Sequence, residues 1–360
     1  MRYAVLLSGG VDSSTALAEL APRGSVTAFY LKVWLEDELA HLGTCPWEED
    51  LVYARAVCDR LAVELRVIPL QVQYFERVVE YTLSELRAGR TPSPDVLCNS
   101  RIKFGSFLDA LERSGDLAGE TRIGTGHYAR IVPAGDHVLL SRSPDAVKDQ
   151  TYFLSHLTQE QLRRIEFPIG TLTKEEVRRR AADLGLPTCD RPDSQGICFL
   201  GRVRYTDFIR HYLGERSGPI VELGSGRRLG EHRGYWFYTI GQRQGLGLAG
   251  GPWYVVAKDV ERNVVLVSAA NDAGARARDR FRIRELHWTW RPPGTSAGEP
   301  VSVHVKLRHG PALIPAVIEA EGPDTLLVRM DAADRGVAPG QFAVLYQGEI
   351  CLGGGKIQEE

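Results

Sequence analysis

Nothing in this chain is apolar for long enough to cross a bilayer. The N-terminal run in MRYAVLLSGG ends in glycines after a few residues, the pattern of a buried strand and not of a signal peptide or a membrane span. Cysteine is sparse. Six in 360 residues, with no Cys-x-x-Cys pair, exclude a disulfide-stapled secreted scaffold and indicate neither a zinc ribbon nor a thioredoxin-like site. The cytosol is the compartment this usage points to, where cysteines are structural, metal-binding or reactive. A basic surplus is missing too: 44 Lys and Arg against 46 Asp and Glu leave a net charge of -2. No global field announces a nucleic acid, so such a partner would have to be met by local patches. No internal repeat or low-complexity tract occurs.

What is present is ordinary globular composition, 43% apolar and 25% charged, in a chain long enough for two or three domains. YAVLLS (3–8), SVTAFYLKVW and VELRVIPL read as strands. They alternate with the helices SSTALAELA, EEDLVYARAVCDRLA and YFERVVEYTLSELRAG, the second of which puts Leu51, Ala54, Val57, Cys58 and Leu61 on one face. That alternation predicts an α/β domain with a parallel sheet covered on both faces. TRIGTGHYARI adds a strand reaching a loop. Thr173 to Glu176 form a capping box that starts KEEVRRRAADLG, and Gly185 and Pro187 stop it. The character changes near residue 202, where a short helix, YTDFIRHYL, precedes a glycine-rich stretch. After residue 280 short alternating strands (VSVHVKLRH, ALIPAVIEA, TLLVRM, QFAVLY) predict a small β barrel or sandwich. The expected organisation is 1–201 catalytic, 202–278 a small central linker domain, and 279–360 a β barrel.

LLSGGVDSS (6–14) ends a strand and opens a helix, at the N-terminal edge of the expected sheet. Ser8, Gly9 and Gly10 let the backbone turn tightly with its N–H groups inward. Ser13 and Ser14 add hydroxyls at a helix N-terminus, where the dipole favours an anion. Asp12 is placed to help hold a magnesium ion. The loop has no lysine of the Walker type, so it is not the cradle of ordinary P-loop NTPases. It resembles the pyrophosphate loop of the ATP-pyrophosphatase (PP-loop, adenine-nucleotide α-hydrolase-like) superfamily, whose members split ATP between the α and β phosphates and adenylate a carbonyl oxygen.

Further blocks, TPSPDVLCN, IGTGHYAR, KDQTYFL, DSQGICFL, YTIGQRQGLGL and PGQFAVLY, run to residue 346. With the loop they resemble one family within that superfamily, the bacterial-type tRNA-specific 2-thiouridylases (MnmA family). The two cysteine motifs are the specific part. The resemblance implies adenylation of the 2-carbonyl oxygen of the wobble uridine in the tRNAs for lysine, glutamate and glutamine, with ATP and magnesium. Sulfur then arrives as a cysteine persulfide, from a sulfur-carrier protein or a cysteine desulfurase. It implies a persulfide on Cys198, a second active thiol at Cys98, a transient Cys98–Cys198 disulfide, and Asp95 as general acid or base. The ATP site falls on Leu6, Leu7, Ser8, Gly9, Gly10, Val11, Asp12 and Ser13, with Leu31 and Gly126 near the adenine or ribose. The tRNA contacts fall on Ser93, Pro94, Asp95, His127, Lys148, Asp149, Gln150, Arg308, His309 and Gln341. A cytoplasmic monomer without a resident structural metal is expected. Two departures stand out: Ser93 replaces the family's Asn, and His309 replaces its usual Tyr.

Read without the family, Asn99 or Ser100 is an N-cap, so Cys98 sits beside a helix N-terminus, outside the core, where a thiol pKa falls. Arg101 and Lys103 then occupy the first helical turn. There they stabilise a thiolate, bind RNA phosphate, or serve a solvated salt-bridged turn. Asp95 alone reads as a Pro–Asp turn former, and His127 as a buried or capping histidine. Cys58 and Cys351 read as structural, and Cys45 and Cys189 as loop residues. An iron–sulfur cluster on Cys98 and Cys198 would need a further ligand. In ARARDRFRIRE, Arg276, Arg278, Arg280, Arg282 and Arg284 recur at period two, which puts them on one face of a strand, either to meet phosphate or to be solvated. Arg202, Arg204 and Arg210 carry the same ambiguity. Two other readings remain: another adenylating ligase, amidotransferase or tRNA sulfurtransferase of the superfamily, and a tRNA-binding module without catalysis. The paired cysteine motifs argue against a ligase, and the intact loop argues against a silent module.

Overall fold

The computed structural model describes residues 1–33, 47–117, 119–193, 203–269, 277–294 and 299–359. Cys45, Cys198, Arg202 and Arg276 lie outside the described residues.

The first region is built on a parallel sheet. Strands β1 (Arg2–Leu6), β2 (Ser25–Lys32), β3 (Glu64–Pro69), β4 (Thr121–Gly124) and β7 (Ile165–Glu166) line up in the order β3-β2-β1-β4-β7, every pair parallel. Parallel neighbours need crossover segments, and the helices supply them. Val11–Leu20 follows β1, and Trp47–Leu61 precedes β3 and buries Leu51, Ala54, Val57 and Cys58 as the sequence pattern requires. β1 is therefore the centre of the sheet, not its edge, because the chain first moves to one side (β2, β3) and then to the other (β4, β7). This reversal makes a crevice at the carboxyl ends of β1 and β4, where open α/β sheets bind ligands.

Two long helical runs cover the sheet, residues 71–87 and 94–114, each widened into π geometry in the middle, at Phe75–Val79 and Cys98–Ser106. The capping box at Thr173 forms: Glu176 N–H donates to its hydroxyl at 3.3 Å and its own N–H donates to the Glu176 carboxylate at 2.8 Å, starting the helix Lys174–Asp183.

The central region carries the expected helix, Tyr205–Leu213, and a four-stranded sheet the glycine-rich sequence did not announce. Its strands are β8 (Gly218–Glu222), β9 (Arg228–His232), β10 (Trp253–Asp259) and β11 (Val264–Ala269), in the order β10-β11-β8-β9. The C-terminal strands β12 (Arg278–Trp288), β13 (Val301–Lys306), β14 (Ile314–Gly322), β15 (Thr325–Asp334), β16 (Phe342–Gln347) and β17 (Ile350–Ile357) close into a six-stranded barrel through the β12–β17 pairing. Its interior is Phe281, Ile283, Val305, Ile318, Val328, Leu345 and their neighbours.

The three regions are not beads on a string. A hairpin of the first region, β5 (Ala129–Ala134) and β6 (His137–Arg142), continues the barrel sheet, with Ser141 opposite Ile350 and Leu140 opposite Cys351. One apolar cluster runs from Phe29 and Phe107 through Trp236 and Val255 to Phe342 and Tyr346. The crevice at β1 and the junction of the three regions are thus held in one frame.

Candidate active site

The loop after β1 folds as a phosphate cradle should. Gly10 caps Val11–Leu20 without a side-chain bond, so the first-turn N–H groups stay unclaimed by a cap. The hydroxyls of Ser13 and Ser14 do not point outward as expected. Both donate to Gly10 O, at 3.0 and 2.9 Å, and Ser13 Oγ also accepts from Ser8 N–H at 3.2 Å. They hold the loop's shape and leave the anion to backbone donors. Gly9 has φ +76, and a Cβ there would lie 2.3 Å from Asp50 O. Gly126, beyond β4, comes so close to the helix start that a Cβ would lie 2.6 Å from Ser13 N, so any side chain there would cover the cradle. Leu6 and Leu7 are buried behind the loop, and Leu31 lies near the carboxyl end of neighbouring β2. The ATP residues named from the sequence therefore converge on the switch-point crevice.

Four residues without a sequence-based role also meet there. Arg191 donates to Gly9 O at 2.6 Å, pairs with Asp50 and stacks over Tyr53 at 4.5 Å. Lys174 Nζ lies 2.7 and 2.8 Å from the two carboxylate oxygens of Asp12 and 2.8 Å from Asp193. Tyr128 donates its phenol proton to Asp12 at 2.7 Å. Asp193 also receives Lys148 and Arg178, each at 2.6 Å. Burial alone would raise the Asp193 carboxyl, but Lys148 and Lys174 hold it well below the usual carboxylate range. These residues are scattered over more than 180 positions, and no local pattern ties them together.

A second cavity, of about 390 Å³, opens where the three regions meet. The first region contributes Ser93, Pro94, Asp95, Tyr152 and Phe153, the barrel Arg308, His309 and Gln341, and the central region Tyr205, Trp236, Phe237, Thr239 and Gln242. Six of the residues named as tRNA contacts are thus brought together. His309 lies flat on Phe153, centroids 4.9 Å apart and planes at 16°, so the ring that replaces tyrosine still stacks. Arg308 is oriented by a two-pronged pair with Asp334 at 2.9 and 2.8 Å. Burial pushes the Tyr152 phenol up, and the Ser93 hydroxyl beside it pulls the other way, so the shorter side chain at 93 is engaged with this wall. The central-region aromatics were missed as site residues because a glycine-rich stretch gives no clue to what it packs against.

Cys98 lies one turn beyond Asp95 on the same helix, behind the cavity wall. The sequence placed it outside the core beside a helix start. The helix instead begins at Pro94, after Ser93, so Cys98 is its fifth residue, the first of the π segment, and only 3% exposed. Asn99 and Ser100 are not caps. Asn99 donates its amide to Asp95 O (3.0 Å) and Phe153 O (3.3 Å), and Ser100 donates to Val96 O (3.1 Å). Arg101 and Lys103 accordingly sit in the helix interior. Arg101 donates to Arg77 O at 3.0 Å and lies over Tyr81. Cys58 and Cys351 are buried thiols that burial pushes up, to about 11 and about 12, as inert structural cysteines should be. Cys189 is half-buried in its loop.

The remaining tRNA residues named from the sequence lie elsewhere. His127 is buried, its Nδ1 2.8 Å from Thr125 Oγ1, and burial together with Lys103 holds it neutral. Asp149 is fully buried. Its carboxylate takes Lys306 at 2.7 Å, Arg142 at 3.2 Å and the Thr151 hydroxyl at 2.8 Å. The Asp149 side chain is thus an ionic lock between the first region and the barrel. Gln150 accepts from Tyr128 N–H at 3.0 Å. On β12, exposed Arg280, Arg282 and Arg284 alternate with buried Phe281 and Ile283, so the period-two face exists. Arg282 is already paired with Glu321 at 2.6 Å, and Arg329 on β15 with Glu319 at 2.8 Å, so the stripe is partly neutralised. Arg204 and Arg210 both pair with Asp207 at 2.6 Å, a solvated helix face.

A glycine loop between strand and helix at the switch point of a parallel sheet defines a nucleotide-binding α/β domain. Three family profiles cover the chain in turn. They are described as a tRNA methyl transferase HUP domain (residues 1–202), a tRNA methyl transferase PRC-barrel domain (206–269) and an aminomethyltransferase β-barrel domain (278–357). The chain is 41% identical over 360 residues to the tRNA-specific 2-thiouridylase MnmA 1 of Bacteroides thetaiotaomicron, covering 99% of both. It is 40% identical to the MnmA 2 protein of Bacteroides fragilis, covering 99% of this chain and 100% of that one. It is 41% identical to the MnmA protein of Parabacteroides distasonis, covering 100% and 99%. The chain belongs to the tRNA-specific 2-thiouridylase family.

Proposed function

We propose that this chain is an ATP-dependent tRNA-uridine 2-sulfurtransferase acting on the wobble uridine. The observation that carries the reading is the cavity at the three-region junction. It is walled by Asp95, Arg308, His309 and Gln341, with Cys98 one turn behind Asp95, and one apolar cluster runs through the region of the phosphate cradle and this junction. Methyl transfer, the activity for which the matching family is described, fits the site less well. Methyl transfer from a sulfonium donor calls for neither a pyrophosphate cradle nor paired thiol motifs.

The reaction follows from the residues. Oxide cannot leave a carbonyl carbon, so the uridine 2-oxygen attacks the α-phosphorus of ATP and pyrophosphate departs. The first-turn N–H groups at Val11–Ser13 stabilise the charge on the phosphates. The aromatic walls, Tyr152, Phe153 and Trp236, hold the base by stacking, and Asp95 moves protons at its edge. The terminal sulfur of a persulfide on Cys198 then attacks C2, and AMP leaves with the former carbonyl oxygen. The Cys98 thiolate attacks Cys198 Sγ. The S–S bond breaks with its electron pair left on the base sulfur, and a Cys98–Cys198 disulfide remains for an external thiol reductant to reopen. A sulfur-carrier protein or cysteine desulfurase reloads Cys198.

For magnesium, the described residues hold no group of three or more His, Cys, Asp or Glu side chains placed to hold a metal ion. Asp12 is the carboxylate at the cradle, and magnesium is commonly held by one or two carboxylates with substrate phosphates and water. Asp12 therefore fits as a single ligand. Bound there, the ion would neutralise phosphate charge.

The test is mass spectrometry of tRNA incubated with the protein, ATP, magnesium and a persulfide donor. 2-Thiouridine at the wobble position, with one AMP per sulfur, is expected. Methylated uridine, or AMP formation without thiolation, would overturn the reading.

A further inference from the structure

The cradle has no lysine of its own, yet a triphosphate brings more charge than a few N–H groups offset. We propose that Lys174, flanked by Lys148 and Arg178, is the cationic arm that takes the β- and γ-phosphates of ATP and holds pyrophosphate as it leaves. Asp193 is then the counter-ion that keeps the arm in place when no phosphate is bound. This rests on the nucleotide reading of the loop and goes beyond it in assigning residues and an exchange.

Several observations converge. Lys174 is the first residue of the helix Lys174–Asp183, where a cation opposes the dipole and is ordinarily disfavoured. A residue that breaks a local rule is retained for something else. The capping box at Thr173 fixes the start of that helix, and Lys174 N–H donates to Asp145 at 3.0 Å, so the direction of the side chain is set. Its ammonium does not run to solvent. Mostly buried, it lies between Asp12, the second residue of the cradle helix, at 2.7 and 2.8 Å, and Asp193 at 2.8 Å. Asp193 in turn collects Lys148 and Arg178 at 2.6 Å each. Three cations thus share two carboxylates at the mouth of an anion cradle.

The carboxylates stand where phosphate oxygens would, and a phosphate presents the same donors with more charge and more acceptor oxygens. Exchange of Asp193 for phosphate needs no further burial of Lys174, which is already mostly buried and paired, while Lys148 and Arg178, each about a third exposed, are free to follow the anion. Lys148, named from the resemblance as a tRNA contact, would on this assignment act first on phosphate. Arg191, bonded to Gly9 O, keeps the loop in register and is not part of the arm.

The experiment is calorimetric titration of the full chain, without tRNA, with inorganic pyrophosphate, ATP and AMP. For Lys174→Met, pyrophosphate and ATP affinity should fall by about tenfold or more, while AMP, which lacks the β- and γ-phosphates, stays within about twofold. Lys174→Arg should recover most of the loss. Asp193→Asn should tighten pyrophosphate severalfold, because a competitor for the same cations is gone, whereas a purely structural Asp193 would give weaker binding when lost. Equal losses for AMP and pyrophosphate in Lys174→Met, no loss at all, or weaker pyrophosphate binding by Asp193→Asn would each overturn the assignment. If Lys174→Met does not fold, Lys174→Arg and Asp193→Asn carry the test. A native chain that binds none of the three ligands overturns the nucleotide reading itself. A native chain that binds all three, with variants that behave like it, overturns only the cationic arm.

Discussion

Replacing Lys306 by methionine tests the ionic lock between the first region and the barrel. Both members of the Lys306–Asp149 pair are fully buried, 2.7 Å apart. Removing one partner of such a pair costs about 3–5 kcal/mol, because the other charge stays in the interior. Here Asp149 keeps Arg142 at 3.2 Å and Thr151 at 2.8 Å, so the low end, about 3 kcal/mol, is expected. In a chain of this size each kcal/mol lowers the melting temperature by roughly 2 °C, so the variant should melt about 6 °C lower. Lys306→Met with Asp149→Leu together should lose less than the sum of the two single changes. The loss should also depend on pH. In the native protein burial raises the Asp149 carboxyl, but Lys306 outweighs it and the folded pKa is depressed. A depressed carboxylate contributes stability above its unfolded pKa, near about 4, that is lost as pH falls through the folded value. Without Lys306 burial prevails and the folded pKa rises, so native and variant curves should separate at neutral pH and converge in acid. Scanning calorimetry from pH 4 to 8 measures this. A drop under about 2 °C at pH 7, or a gap that widens in acid, would refute the lock. Because Lys306 ends β13 two residues before Arg308, the variant should also bind tRNA more weakly.

Cys98→Ser should still accept persulfide sulfur on Cys198 but release no thiolated tRNA, as followed by mass spectrometry of protein and RNA; normal turnover would rule out the disulfide step. Because Cys98 is only 3% exposed, iodoacetamide should alkylate it slowly in the free protein and faster with tRNA bound, and equal rates would mean RNA does not open the wall. His309→Ala removes the ring stacked on Phe153, worth about 0.5–1.5 kcal/mol of stability beyond burial, so the melting temperature should fall by about 1–3 °C and His309→Tyr should restore it. Neutralising Arg280, Arg282 and Arg284 should lower tRNA affinity with a shallower salt dependence, while Arg282 alone, paired with Glu321, should have little effect; unchanged affinity for the triple variant would make the stripe a solvated face.

Much of the fold was legible because it is written in local patterns. Strand–helix alternation, the Thr173 capping box and the alternating barrel strands each need only a few neighbouring residues. The sheet of the central region was not, although WYVVAKDVERNVVLVSA holds two apolar runs around a turn at Asn263, which takes φ +56. The cradle and the six cleft residues were reached through sequence motifs. What escaped is whatever depends on distant residues meeting. Cys98 looked like a loop thiol because the proline before it suggested a turn, whereas Pro94 is the first residue of a helix, where its fixed φ is at home. The burial of Asp149 was not legible because nothing nearby announces Lys306, 157 positions away. Lys174, Lys148, Arg178 and Asp193 form one cluster only after folding.

The β5–β6 hairpin also governs the order in which this chain can become whole during translation. β6 finds its second partner only in β17, roughly 200 residues later, on the order of 10–40 s of synthesis. Until then the finished first region carries an open strand edge, an Asp149 held by Arg142 and Thr151 but lacking Lys306, and half of an apolar cluster. That nascent state is the one a chaperone would meet, and it explains in advance why the first 201 residues should be a poor fragment to express alone: the edge of β6 is covered only by β17.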